Sequence, residues 1–266
     1  MAEKPATPTP GTAVAAPAKT SVGMPMDWRE RMKQVAVKTA EQEKPQGGYI
    51  SFKSGRLSVG DTVMPGDKIE CIIVDSYFHN KYYDTPYDSK KISSPACYAF
   101  SRDDAELKPE LSADDPQGGE DGFCVGCPMN EWGSSPKGGR GKACTNTRRL
   151  FLLPADVINK PDSINRVEFL QCDLPVTSVK NFSKFVNDLA PAGLAPFQVV
   201  VEMSVKPHDD TLFQVNFKPM EQIKNEDVLS ALAARNWRQE QAEFPKYPTK
   251  EELAEREAGA PKSGKY

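Results

Sequence analysis

Between residues 49 and 217 the apolar positions fall in short runs of strand length, and on either side they thin out. "YISF" and "RLSV" alternate briefly and predict short strands, and "MPGD" places Pro before Gly as a type II turn requires. "KIECIIVDSYF" at 68–78 is continuous and β-branched, the pattern of a buried strand. "CYAF", starting at Cys97, "RLFLLP" at 149–154 and "RVEFLQCDL" at 166–174 predict further strands. Val179, Phe182, Phe185, Val186 and Leu189 then recur at helical spacing, with Thr177 placed to cap and Gly193 to end the helix. "FQVVVEMSV" and "TLFQVNF" predict a hairpin. Asn225 caps a second helix with Leu229, Leu232, Ala233 and Trp237 on one face, and Thr249 with Glu252 forms a capping box for a last short helix.

Strands at 68–78, 96–100 and either 148–153 or 166–174, a helix at 177–189, then strands at 197–205 and 211–217 follow the order of an OB-fold. Other α+β sheets share that order. The chain ends differ from this core. Residues 1–24 are an Ala/Pro/Thr tract with nothing to bury and are expected to be disordered. Asp27 caps a charged helix ending before Pro45, the core spans 25–245, and 246–266 are a C-terminal helix and flexible tail.

Composition narrows the setting. The 266 residues are 38% hydrophobic with 23 Pro, and the formal net charge is -3, so any nucleic-acid site must be a local basic patch. The N-terminus lacks a signal-peptide core and no apolar run is long enough to span a bilayer. A soluble protein of a reducing cytoplasm is expected, without a membrane role. Residues 103–121 hold eight acids and one Lys among Pro and Gly, which reads as a loop.

Cys124 and Cys127 are spaced C-x2-C, with Gly126 permitting the tight turn. A zinc ion needs four ligands, and Cys97 and Cys144 bracket the knuckle as the second pair, giving C-x26-C-x2-C-x16-C. One structural zinc is the expected cofactor, held in a ribbon inserted at about 97–147. The fold class expected is therefore β-rich α+β: an OB-like five-stranded Greek-key barrel with an inserted zinc ribbon and flanking helices. A redox C-x2-C lacks its βαβ surroundings, and disulfides suit another compartment. Cys71 and Cys172 lie in apolar strands and read as core, and His79 and His208 are substitute ligands of last resort.

Two segments combine cations with flat side chains, as single-strand binding requires. One holds Lys81, Tyr82, Tyr83, Lys90 and Lys91; the other holds Trp132, Arg140, Lys142, Arg148 and Arg149 among glycines. A plainer reading makes the tyrosines core and the cations a counter-charge for thiolates. No carboxylate constellation for metal-dependent catalysis is present outside the acidic loop, so no enzyme is expected.

The run "SPACYAF…DDPQGGEDGFCVGCPMNEWGSSPKGGRGKACTNTRRLFLLP", with "FSKFVNDLAPAGLAPFQVVVEMSV…LFQVNFKP", resembles bacteriophage single-stranded DNA-binding proteins of the OB type that carry an inserted four-cysteine zinc element. The matching positions include Cys97, Cys124, Cys127, Pro128, Asn130, Trp132, Gly133, Ser134, Lys142, Cys144, Arg148 and Arg149. The resemblance implies sequence-tolerant binding of single-stranded DNA during phage DNA replication or recombination, in the host-cell cytoplasm, with phage or host replication proteins as further partners. The chain departs from many single-strand binders in ending "APKSGKY" rather than in an acidic tail. The acidic segment is a candidate substitute, competing with nucleic acid for the basic groove. The alternative is a zinc-ribbon interaction module in phage replication, transcription or virion assembly.

Overall fold

The computed structural model describes residues 48–86 and 93–259, with Met32 besides. The tail expected at 1–24, the helix expected from Asp27, and Lys90 and Lys91 lie outside the described residues.

Three two-residue strands, β1 (Ile50–Ser51), β2 (Ser58–Val59) and β3 (Thr62–Val63), form a small antiparallel sheet. The turn after it is the one that "MPGD" predicts. The Asp67 amide donates to the Met64 carbonyl at 3.1 Å, and Gly66 takes φ 66°, a conformation open to glycine.

The main sheet is built on one long strand, β4 (Lys68–Tyr82). Its partners are β5 (Cys97–Ser101), β6 (Thr145–Pro154) and β8 (Val199–His208); β7 (Leu170–Asp173) and β9 (Leu212–Gln222) extend the order to β7-β6-β4-β8-β9, with β5 also on β4. Every pairing is antiparallel. β6 follows β4 from Cys71 to Lys81, so β4 divides its other edge, giving Lys68–Cys71 to β8 and Phe78–Tyr82 to β5. A bulge between Ile73 and Asp75 leaves the Val74 carbonyl out of the ladder, and the Asn236 side-chain amide donates to it at 2.8 Å.

The described residues thus form a strand-rich α+β fold with antiparallel sheets and no closed barrel. β9 pairs with β8 along its whole length and does not return to another strand, and β7 meets only β6 and a single parallel bridge from Tyr49. The segment between β5 and β6 also differs from a β-ribbon, for it holds only short 3-10 turns and the isolated bridge Ala99–Pro109. Its Pro and Gly content leaves few residues able to extend a ladder.

Helices cover both faces. α1 (Val179–Leu189) lays Phe182, Phe185 and Leu189 on Cys71, Ile73, Leu150, Leu152, Val201 and Met203. α2 (Glu226–Glu240) lays Val228 and Leu232 over Ile72, Val74, Leu153 and Val200. Asn225 caps α2 as expected, accepting from the amides of Asp227 and Val228. Trp237 does not join the buried stripe; it is 63% exposed, while Asn236 turns inward to the bulge. Nor does Thr177 cap α1. A 3-10 turn leads into that helix, and the buried Ser178 hydroxyl accepts from the Val215 amide on β9. A third helix, α3 (Lys250–Gly259), starts at the expected box: the Glu252 carboxylate accepts from the Thr249 amide and the Thr249 hydroxyl from the Glu252 amide.

Phe182 is 1% exposed between α1 and the sheet. Phe182→Ala should lower stability by about 3–5 kcal/mol through lost burial and the cavity left behind. Urea titration should show this as a lower midpoint at an unchanged slope.

Candidate functional site: a thiol-lined cavity, a basic loop and a buried carboxylate

Strand register brings the outer cysteines together. Tyr82 pairs with Cys97 and Lys81 with Thr145, so the end of β4 has Cys97 on one side and Cys144, one residue before β6, on the other. The long gap between Cys97 and the knuckle is therefore spanned by the sheet and not by a tight loop. Cys124 and Cys127 return to this end through a turn in which Gly126 takes φ 75°. The Cys124 amide donates to the Leu107 carbonyl at 2.8 Å, the Cys144 amide to the Met129 carbonyl at 2.7 Å, and the Asn130 side chain to the Cys124 carbonyl at 2.9 Å. Gly119 lies beneath the turn, where a Cβ would stand 2.7 Å from the Val125 carbonyl oxygen.

All four cysteines line one cavity of about 10 Å³, the scale of a single small ion or water. None is in a disulfide. Burial, and then the charge of the neighbouring sulfurs, push the Cys124 and Cys144 thiols up to about 12 and raise Cys97 as well. Donors favour the ionised forms. The Gln117 amide lies 3.3 Å from the Cys97 sulfur, Asn80 faces Cys124, and the Lys81 backbone faces Cys144. The donor set is that of a four-thiolate zinc site, and a bound cation would reverse the repulsion that keeps these thiols protonated. Among the described residues no group of three or more His, Cys, Asp or Glu is drawn into a metal-holding arrangement.

The loop after the knuckle presents the exposed part of the basic segment. Trp132 is 76% exposed, and the Lys142 ammonium lies 5.2 Å from its ring centroid and 3.2 Å from the Asn130 side-chain oxygen. Lys137 and Arg140 are exposed, and between them Gly138 and Gly139 have positive φ. The Gly133 and Ser135 amides both donate to the Gly141 carbonyl, and the Ser134 hydroxyl accepts from the Ala143 amide, so the loop is internally braced.

The remaining candidates lie elsewhere. Arg148 stacks flat on Phe78, 3.5 Å from its centroid, and Phe78 packs with Ala99, Leu107 and Cys124. That places its charge behind the thiol layer. Arg149 grips Asp173 with two hydrogen bonds of 2.7 and 3.1 Å, and Lys81 donates to the same carboxylate at 2.8 Å. Tyr82 lines the thiol cavity, and Tyr83 is 39% exposed.

Asp173 and its partners were not legible in the sequence as a site. Burial alone would raise the Asp173 carboxyl, but hydrogen bonds from His79 and Arg149 hold it well below the usual carboxylate range. His79 is fully buried, with Nδ1 3.3 Å from Asp173 and Nε2 3.2 Å from the Tyr247 hydroxyl. Neutral imidazole carrying its hydrogen on Nδ1 satisfies both partners. Tyr247 belongs to the segment expected to be tail, yet its amide donates to the Tyr98 hydroxyl and its ring stacks on Phe100 and His79. Phe244, at the end of the expected core, also stacks on Phe100. The acidic loop faces this segment: Asp114 accepts from the Lys250 amide at the start of α3, and Glu110 pairs with Lys246.

No protein-family model, curated protein or solved structure matches the chain. No helix among the described residues is long and apolar enough to cross a membrane.

Burial lowers the His79 pKa from 6.5 to about 4. As pH falls, the unfolded chain takes up this proton near 6.5 while the folded chain refuses it until about 4. Stability from this group is complete above pH 6.5 and declines between 6.5 and 4, by on the order of 3 kcal/mol over the whole window. Its neighbours Asp173, held well below the usual carboxylate range, and Arg149, held above its ordinary value by Asp173, keep their charge across pH 6.5–5. Denaturant titrations between pH 6.5 and 5 should therefore show a steeper loss for the parent than for His79→Asn; parallel losses would assign the dependence elsewhere.

Proposed function

We propose that the protein binds single-stranded DNA stoichiometrically and with little sequence preference, as a coating protein of phage DNA replication or recombination, without turnover. One observation carries this reading: an exposed Trp132 with Lys142 against its face and Lys137 and Arg140 beside it, on a braced glycine loop. A flat ring with cations at hand offers stacking to a base and charge to its phosphates. The resemblance to phage single-strand binders with a four-cysteine insertion points the same way. Tyr82 and Tyr83 are further stacking candidates, Tyr83 being the more open. Lys81, Arg148 and Arg149 act first on the fold, through Asp173 and Phe78, and Lys90 and Lys91 remain phosphate candidates of the first segment.

In this reading Cys97, Cys124, Cys127 and Cys144 hold one structural zinc. The ion would supply the positive charge that lets the buried thiols ionise and would fix the base of the Trp132 loop. A protein-docking role has its own support in Val125 and Leu111, which are 65% and 87% exposed on the same insertion.

Fluorescence anisotropy with labelled single-stranded and duplex DNA at two salt concentrations tests the reading. Trp132→Ala should weaken single-strand binding by about 1–3 kcal/mol, the usual cost of one lost base stack. Arg140→Ala with Lys142→Ala should reduce the log–log salt slope by about 1.4, at about 0.7 per phosphate contact. No binding at low salt would leave the docking role. Cys127→Ser should lose the zinc, read by a chromogenic chelator, and lower the melting temperature; a variant that keeps one zinc and melts like the parent would sink the metal assignment.

A further inference from the structure

Arg148, on β6, is a half-buried cation without a counter-ion. Among the described residues no carboxylate lies within ion-pair distance of its guanidinium and its side chain makes no hydrogen bond. It lies flat on Phe78, 3.5 Å from the ring centroid, with the Phe182 ring at 5.8 Å. The other cations nearby are engaged or exposed. Lys81 and Arg149 hold Asp173, Lys142 rests on Trp132 and Asn130, and Lys137 and Arg140 stand in solvent. A charge taken out of water without a counter-ion is costly, and two ring faces offset only part of that cost.

The ring beneath Arg148 leads to the thiols. Arg148 pairs with Phe78 across β6 and β4, and Phe78 packs on Ala99, Leu107 and Cys124. Asn80 stands two residues further along β4 on the same face, about 7 Å on. It is 4% exposed, and its side chain hydrogen bonds to Cys124. Asp104, an exposed acid of the insertion, acts from beyond ion-pair distance on both Arg148 and Cys124, so the two share one electrostatic neighbourhood. Four thiolates around one divalent ion leave a net charge of about −2. That negative charge would stand, sheltered from water, next to a sheltered cation that lacks a partner.

We infer that Arg148 is a positioning residue of the metal site: held beside Cys124 through Phe78, its charge is the counter-ion that favours four ionised thiolates around zinc. The inference rests on the zinc reading. A guanidinium suits this place because it stacks on a ring and keeps its charge at any working pH. The two ends of the basic segment then face different anions, the thiolate centre at Arg148 and phosphate at Arg140 and Lys142.

The test is the zinc affinity of the full chain at neutral pH, read by competition with a chromogenic chelator. Arg148→Met and Arg148→Gln remove the charge while keeping a side chain against Phe78, and Arg148→Lys keeps the charge. Cobalt(II) loading supplies a second readout, since thiolate-to-cobalt absorption reports a four-thiolate site whatever its affinity, and circular dichroism checks that each variant folds. The expected result is zinc affinity weakened by about 10- to 100-fold in both neutral variants, the usual cost of losing an outer partner of a metal site, with an unchanged cobalt spectrum. Arg148→Lys should stay within about threefold of the parent, because charge and not the planar fork is what acts here. Parent-like zinc affinity in both neutral variants overturns the inference and leaves the zinc reading intact; weaker single-strand binding in the same variants would then make Arg148 a phosphate contact. A loss in Arg148→Lys equal to that in the neutral variants assigns the effect to packing and overturns the inference as well. A parent that takes up neither zinc nor cobalt overturns the zinc reading and the inference with it.

Discussion

A buried carboxylate must be surrounded by donors, and much of this molecule is arranged around one. Asp173 stands near the end of a four-residue strand at the side of the sheet, where its desolvation alone would cost several kcal/mol. Lys81 and His79 reach it from β4 and Arg149 from β6, so three strands are tied at one point. Tyr247 closes the arrangement by hydrogen bonding both His79 and Arg149. Withdrawing Arg149 or Lys81 would leave the buried carboxylate short of a donor, and withdrawing Tyr247 would leave the buried His79 Nε2 without one.

That constraint also decides which cations are free for other work. Lys81 and Arg149 look in sequence like phosphate ligands, because charge and aromatic neighbours are all that sequence shows. Their partner is 92 residues from one and 24 from the other, and only the pairing of β6 with β7 brings it near. Strand and helix positions were mostly legible, since they rest on local periodicity and caps: the long run at β4, the α1 stripe, the Asn225 cap and the Thr249 box all appear. Closure was not legible. Five strands with an interposed helix fit a barrel equally well on paper, and the open sheet follows from β4 sharing one edge between β5 and β8, a choice no local pattern records.

The cysteines show the reverse case, in which structure makes sense of a spacing. A gap of 26 residues between first and second thiol is long for a knuckle read as a chain. It becomes short once Cys97 and Thr145 are neighbours of adjacent residues on β4. The sheet brings two thiols to one end, and the loop has only to return the other two. Arg148 on Phe78 then gives the basic run a structural role behind the thiols, while Lys137, Arg140 and Lys142 remain outside. One segment thus serves two purposes, divided by the point where it enters β6.

The two aromatic groups differ in the same way. Trp132 is held by a braced loop whose base adjoins a thiol cavity. Tyr77, Phe100 and Phe151 sit on the sheet itself and are covered by a segment anchored through Tyr247 and through Asp114 at the start of α3. Two acids of the acidic loop, Glu110 and Asp114, face this covering segment through Lys246 and the Lys250 amide at the start of α3. Glu110 and Asp114 lie in the same insertion as Cys124 and Cys127, so one insertion touches both the thiol cavity and the segment roofing the aromatic sheet face. The insertion is the physical link between the two.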